Sequence, residues 1–319
     1  MTDPITNDTL TLSPRTTFDG PALAFDFPGL QIGVAEYDEG PTGCTVLLFT
    51  GPGLALTSLD LRGGSIGFVG DYPVVDAICL AGGSLLGLEA ATGVAAEIWA
   101  QRSYSPGWTD LPVVSGAIIY DYVRQNSVYP DKALGRAAIR AARPGIFPLG
   151  ARGAGRSATC GKMFGGGEPA GQGAAFLEIG PAKVAVFTVV NAVGAIVDRQ
   201  GRTVCGNLDS RSGERLGARA LVQRRLEGEL GAGVPTGGNT TLTVLVTNIT
   251  MSSFALRQLG REVHSSMSRA IQPFHTATDG DVFYTVSTGQ VDGQEQLIQG
   301  GLGVLASELA WDAVLAAIP

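Results

Sequence analysis

The sequence predicts an α/β protein in which a β-sheet core is covered by helices. Runs in which β-branched residues alternate with other residues recur along the chain, as in residues 240–248, and such runs are typical of buried strands. Long apolar segments at residues 76–102 and 294–318 are instead typical of helices packed against another layer. Together these segments predict layers of sheet and helix around a shared core.

The remaining elements follow from the same periodicities and from turn residues. In chain order, the sequence predicts an N-terminal arm at 1–23, flexible or loosely docked, a hairpin at 30–49, a strand at 111–120, a surface helix at 130–142, two strand-like runs at 174–198, a charged helical stretch within 211–230, a strand from Thr240, a helix at 252–271 capped by Ser252 or Ser253, and a strand at 282–286.

Composition and charge exclude several classes of protein. A chain of 319 residues with 45% hydrophobic residues and 46 glycines is typical of a compact, tightly turned protein with a substantial core. A net charge of −7 without a cluster of Lys and Arg argues against nucleic acid or an anionic membrane as partner. The chain shows no signal peptide and no run of roughly 18 apolar residues, so we expect a soluble, cytoplasmic protein.

Several motifs suggest chemistry that their context does not support. The segment 63–67 fits Gly-x-Ser-x-Gly, but strand-like residues follow it where a nucleophile elbow needs a helix. The glycine-rich segment 150–162 ends in a Lys, yet Met163 stands where a phosphate loop requires Ser or Thr. Residues 279–281 lack the other ligands of a calcium loop. The chain's two histidines and four separated cysteines lack metal-ligand spacing, so we expect structural histidines and buried thiols.

One segment combines a flexible turn with a hydroxyl at the start of a predicted buried strand. The ordinary interpretation of Gly238, Asn239 and Thr240 is a loop followed by a strand-forming residue. The alternative is a self-cleaving Asn239–Thr240 bond, in which the Thr hydroxyl attacks the preceding carbonyl and the resulting ester hydrolyses. Cleavage would give Thr240 a free α-amino group, whose ordinary pKa of about 7.7–8.0 suits a general base at neutral pH.

Segments spread over the whole chain resemble one family of enzymes. These segments are 25–29, 39–43, 77–83, 128–136, 238–241, 264–267, 271–276 and 311–315. They are similar to the L-aminopeptidase/D-amidase family of N-terminal nucleophile hydrolases (peptidase family S58), which includes β-aminopeptidases and nylon-oligomer hydrolases. The resemblance runs from about residue 24 to the C-terminus. It implies a four-layer α/β/β/α sandwich, with one domain over 24–319 cleaved into 1–239 and 240–319.

The resemblance also implies a set of site residues around the nucleophile Thr240. These are Asn239 before the cut, Lys162 as a cation beside the nucleophile, Asn191 and Tyr120 as oxyanion stabilisers, Asp281 bonded to the Thr and Asp279 as its support. From the residues alone, a solvated Lys162, a structural Asn191 and a core Tyr120 stay open. The chain departs from the nylon-oligomer hydrolases at Ala192, where the resemblance to them implies a proline. The resemblance implies a homo-oligomer, with a tetramer expected, and no metal, nucleotide or organic cofactor.

The activity implied is hydrolysis of linear ω-aminoalkanoate oligomers, or of exposed amides in polyamide-6, through an acyl-enzyme on Thr240. A Thr nucleophile favours the nylon-hydrolase branch, since we expect Ser in the aminopeptidase branch. An aminopeptidase that acts on β- or D-amino acids is the closest alternative. An uncleaved, non-catalytic binding protein and an acyl transferase that uses an amine acceptor are more distant ones.

Overall fold

A computed structural model describes residues 5–122, 127–163, 167–209, 212–229, 238–292 and 301–319. The strands are β1 (Ala22–Ala24), β2 (Leu30–Tyr37), β3 (Thr42–Phe49), β4 (Ala55–Gly63), β5 (Phe68–Val69), β6 (Val74–Val75), β7 (Ala77–Ala81), β8 (Val114–Ile118), β9 (Ile146–Pro148), β10 (Thr159–Cys160), β11 (Glu168–Pro169), β12 (Gln172–Ile179), β13 (Ala182–Asn191), β14 (Ala195–Val197), β15 (Thr203–Cys205), β16 (Thr240–Thr250), β17 (Ile271–Gln272) and β18 (Gly280–Asp292). The α-helices are α1 (Glu89–Gln101), α2 (Lys132–Arg140), α3 (Ala218–Leu226), α4 (Ser253–Ser266) and α5 (Leu302–Leu315).

Two large sheets form the centre of the molecule. One has five strands in the order β2-β3-β7-β8-β5, and the other has six in the order β12-β13-β16-β18-β4-β6. Most neighbouring strands are antiparallel, including the predicted hairpin of β2 and β3. The exceptions are β7 with β8 and β16 with β18, which pair in parallel. The strand that begins at Thr240 therefore lies in the interior of the larger sheet.

Apolar side chains fill three layers between the sheets and helices. The inner layer joins side chains such as Leu47 of the small sheet to Phe187 and Val244 of the large one. A second layer places α1 and α2 over the small sheet, and a third places α4 and α5 over the large sheet. The order helix, sheet, sheet, helix confirms the predicted four-layer α/β/β/α sandwich.

Strand β16 is apolar on both faces because each face is covered by another layer. Leu242, Val244 and Val246 point into the layer between the sheets, whereas Leu245 and Ile249 point toward the outer helices. A strand covered on both faces needs apolar residues at consecutive positions rather than at every second one.

The prediction of one long helix at 76–102 is wrong in its first half. This segment forms β7, then a 3₁₀ turn at Ser84–Leu88, and becomes α-helical only at Glu89. A short apolar run buried on both faces has the same hydrophobicity as a buried helix, so periodicity could not separate them. The predicted close packing is present, because a Cβ on Gly93 would lie 2.2 Å from the carbonyl oxygen of Lys132.

Smaller differences concern the ends of the chain and α2. The predicted surface helix buries Leu134 and Ile139 against the small sheet and is capped by Asp131, whose carboxylate accepts from the amide of Leu134. Helix α5 begins at Leu302, and residues 294–300 of the predicted helix lie outside the described ranges. Within the arm, Arg15 forms ion pairs with Glu36 and Asp38.

None of the helices in the described ranges combines the length and the apolar character that a membrane span requires.

Candidate active site

Thr240 opens β16, at the centre of the site. It lies opposite Asn191, the last residue of β13, and its side chain is buried. Its hydroxyl donates a 2.6 Å hydrogen bond to the carbonyl oxygen of Asn239. The same carbonyl accepts from the backbone amide of Gly280 at 2.8 Å. The hydroxyl thus lies against the peptide group that it would attack, and a backbone donor already faces the oxygen where negative charge would develop.

The turn before Thr240 requires glycine. Gly238 has φ +88°, in the left-handed region that side chains rarely adopt. A Cβ at this position would lie 2.4 Å from Cγ of Tyr120, so the ring occupies the space that a side chain would need.

Asn191 joins three segments of the site through its amide group. Its Oδ1 accepts from Nζ of Lys162 at 3.0 Å and from the amide of Thr159 at 3.1 Å. Its Nδ2 donates to the carbonyl oxygens of Tyr120 at 2.8 Å and Gly238 at 3.3 Å. Both N–H groups therefore bind backbone carbonyls in this uncut chain, and the oxyanion role stays a prediction.

Lys162 is a buried cation rather than a solvated surface residue, with a relative exposure of 7%. Its Nζ donates to the backbone oxygen and to Oδ1 of Asn191, both at 3.0 Å. Burial lowers the pKa of Lys162 to about 8, against the opposing influence of Cys160 and Asp279. A lysine with this pKa exchanges protons near neutrality and can adjust the charge of the site.

The two predicted carboxylates are fully buried and hold different segments. Asp279 accepts from the amide of Val193 at 3.2 Å, and from the amide and hydroxyl of Thr276 at 2.9 and 2.6 Å. Asp281 accepts from the amide of Thr241 at 2.7 Å. Asp281 therefore contacts the residue after Thr240, through the backbone, whereas Asp279 supports two loops.

A histidine contacts the second of these carboxylates. Nδ1 of His275 lies 2.8 Å from Oδ2 of Asp281. Burial raises the pKa of Asp281, and the hydrogen bond from His275 opposes that rise.

Tyr120 stands at the edge of the site and is partly exposed. Its carbonyl accepts from Asn191, and its ring packs on Gly238 and against the ring of Tyr122, with centroids 5.5 Å apart. These contacts place the ring beside the bond before Thr240.

Comparison with known proteins identifies the family. The model of peptidase family S58 matches residues 24–318. The chain belongs to peptidase family S58. Proteins named 6-aminohexanoate-oligomer endohydrolase from Agromyces sp. (strain KY5R) and Paenarthrobacter ureafaciens are each 44% identical to it over 322 residues, which cover 98% of this chain and 90% of theirs. The resemblance inferred from the sequence is thereby confirmed.

A solved structure supports the fold of this S58 member. The L-aminopeptidase D-Ala-esterase/amidase from Ochrobactrum anthropi, described as a variant of the Ntn hydrolase fold, superposes with a TM-score of 0.68. The match covers 95% of this chain and 88% of that chain at 15% identity. At this identity the likeness shows the fold alone.

Three groups beside the candidate site are not indicated by the sequence. The amide of Gly280 is a backbone group, and backbone donors leave no residue-type signal. His275 lies six residues before Asp281, and this spacing matches no metal-binding or catalytic motif. Ser65 of the Gly-x-Ser-x-Gly match donates its amide to the carbonyl oxygen of Asp279 and so supports the acidic turn.

Proposed function

We propose that this S58 protein is an amide hydrolase that cleaves linear aminoalkanoate oligomers of the nylon-6 type, with Thr240 as nucleophile. The names of relatives that are 44% identical over nearly the whole chain support this substrate class. Membership of a peptidase family supports hydrolysis of amide bonds in general.

The proposed first step is self-cleavage, and the observation that carries it is the contact of the Thr240 hydroxyl with the Asn239 carbonyl. Oγ attacks the carbonyl carbon, and the amide of Gly280 stabilises the negative oxygen. The C–N bond then breaks and its nitrogen takes up the proton released from Oγ, which gives an ester on Thr240 and a free α-amine. Water hydrolyses the ester and leaves a carboxylate on Asn239.

The proposed reaction on substrate uses the same hydroxyl with the new α-amine as general base. The amine takes the proton of Oγ while Oγ attacks the substrate amide carbon, and it returns the proton to the leaving amine. Water then releases the acyl group. Departure of Gly238 after the cut would free an N–H of Asn191 for the substrate oxyanion, beside the ring of Tyr120.

The surrounding charges have complementary roles in this proposal. Lys162 holds both oxygens of Asn191 and, as a nearby positive charge, favours the neutral form of the α-amine. Asp279 and Asp281 balance that charge and orient the first residues of β16. A hydroxyl, an amine and fixed donors suffice for this chemistry, so no metal or organic cofactor is invoked. We also propose assembly as a homotetramer, on the family resemblance, and a cytoplasmic location, where the four buried cysteines would stay as free thiols.

Intact-mass analysis under denaturing conditions tests the first step. Wild type should yield fragments of 239 and 80 residues, whereas Thr240→Ala should remain a single chain of 319 residues. Thr250→Ala, an exposed Thr on the same strand, is the matched control and should be cut like wild type. A wild-type chain that stays intact after long incubation would refute the proposal.

Product analysis with 6-aminohexanoate oligomers tests the substrate class. An endo-acting enzyme should release oligomers of mixed length from the start. Release of monomer alone would instead support an aminopeptidase.

A further inference from the structure

We propose that His275 is a positioning residue that fixes Asp281, and through it the start of the nucleophile strand, by donating a hydrogen bond from Nδ1. This inference rests on the proposed function, because it takes Thr240 as the nucleophile. His264 and His275 are the only two histidines of the chain, and they lie against one another behind the candidate site.

The contacts form a direct connection from the imidazole to the nucleophile strand. Nδ1 of His275 lies 2.8 Å from Oδ2 of Asp281, and Oδ1 of the same carboxylate accepts from the amide of Thr241 at 2.7 Å. Asp281 is fully buried, so its carboxylate depends on protein donors in the folded chain. Because Thr241 follows Thr240 directly, a shift of this carboxylate would displace the reacting hydroxyl.

The backbone at His275 is held in an unusual conformation. Its φ of +59° lies in the left-handed region, which few residues other than Gly, Asn, Asp and His adopt. The ring is enclosed by Phe274, with centroids 3.8 Å apart, and by His264, with centroids 4.4 Å apart at an interplanar angle of 84°. Such a conformation persists only when its surroundings enforce it, which is typical of functional sites.

The second ring nitrogen indicates which nitrogen of His275 acts as the donor. Nε2 is buried and has no hydrogen-bond partner within the described ranges. A proton there would be an unsatisfied buried donor, so Nδ1 is the nitrogen that carries the donated proton, and Asp281 accepts it.

Further ionisable groups beside the ring of His275 come from α4 and β4. His264 faces His275 from α4, and its Nδ1 lies 2.8 Å from Oδ2 of Asp60, which also pairs with Arg62 on β4. Burial lowers the pKa of His264 to about 4. Near neutral pH the ring of His264 is therefore neutral and adds no positive charge beside His275.

Asp281 has one further charged neighbour, Asp279, which raises its pKa in addition to burial. The hydrogen bond from His275 acts in the opposite direction and favours the ionised carboxylate. Removing that donor should therefore make Asp281 take up a proton at a higher pH.

The test compares the rate of self-cleavage against pH, followed by intact mass, in wild type, His275→Ala and His275→Asn. Before the cut no α-amine exists, so that base does not set the acidic limb of this profile. The alanine variant should move the acidic limb of the profile upward by about one to two pH units, since a hydrogen bond to a charged group is lost. The asparagine variant should restore the wild-type limb, because its amide nitrogen can occupy the place of Nδ1 and Asn tolerates positive φ.

Ser252→Ala is the matched control for loss of stability. It removes the N-cap of α4, which carries His264, without touching Asp281. Its acidic limb should coincide with that of wild type. His275→Gln replaces the alanine variant if the latter does not fold, because it fills the site but reaches toward the position of Nε2.

An acidic limb that stays at its wild-type position in His275→Ala would overturn the inference, and so would failure of His275→Asn to restore it. Either result in the presence of an active wild type leaves the proposed function intact. A wild type that neither cuts itself nor hydrolyses the oligomers would refute both.

Discussion

Replacing Lys162 with Met removes a buried positive charge and keeps an unbranched side chain of similar volume. The ordinary pKa of 10.5 falls to about 8 in the folded protein because of burial. At about 1.4 kcal/mol per pKa unit, this difference corresponds to about 3 kcal/mol of pH-dependent stability.

The direction of the effect follows from proton binding in the two states. Between pH 8 and 10.5 the unfolded chain keeps a proton on Lys162 that the folded protein has released. Stability therefore rises with pH in this window, because the unfolded state binds more protons. The Met variant lacks this contribution. The unfolding free energy of the parent minus that of the variant should thus increase by about 3 kcal/mol from pH 7 to pH 11.

Urea unfolding at a series of pH values, on a Thr240→Ala background that keeps the chain whole, measures this difference. Other titrating groups are common to both proteins and cancel. Lys183→Met is the control with the opposite sign, because hydrogen bonds from Lys183 to Glu178 and Asp26 raise its pKa. The contribution of Lys183 is therefore lost, not gained, as the pH rises. A difference for Lys162→Met that stays flat between pH 8 and 10.5 would refute the reasoning.

Three further substitutions have defined outcomes. Gly238→Ala should slow or abolish self-cleavage in an intact-mass time course, because the new Cβ would overlap Tyr120; cleavage at the wild-type rate would contradict this. Asp279→Asn should lower the unfolding free energy by about 1–3 kcal/mol and reduce hydrolysis, since an amide N–H would face the donors of Val193 or Thr276; unchanged urea unfolding would exclude it. Leu245→Ala, buried under the outer helices, should cost about 2–5 kcal/mol in the same assay, and a loss below 1 kcal/mol would show that the layer collapses around the cavity.

The elements that the sequence predicts best have a local cause. Residues 30–49 form the predicted hairpin because turn residues separate two apolar runs, and Ser252 caps α4 through a bond to the amide of Ala255. Thr240 begins its strand as predicted. The sequence does not predict the strand within 76–102, because a strand buried on both faces shows no alternation of apolar and polar residues.

The candidate site also has a part that the sequence predicts and a part that it does not. The residues that the family resemblance names do come together around Thr240, although their positions in the chain span 120 to 281. Their partners could not be predicted, because the bond of Lys162 to Asn191 and that of Asp281 to Thr241 join distant strands. Only the packed sheet decides which donor meets which acceptor.

The order of strands in the larger sheet has a consequence for the life of the protein after a cut at Thr240. The C-terminal piece would contribute β16 and β18 side by side, between β13 and β4 of the N-terminal piece. Neither piece could leave without opening the sheet along two edges, so the nicked molecule should remain together. Once unfolded, however, the two chains would have to find each other in solution, and recovery would depend on concentration. After the cut, the working lifetime of the protein would therefore be set by the rate at which it unfolds rather than by the equilibrium free energy of unfolding.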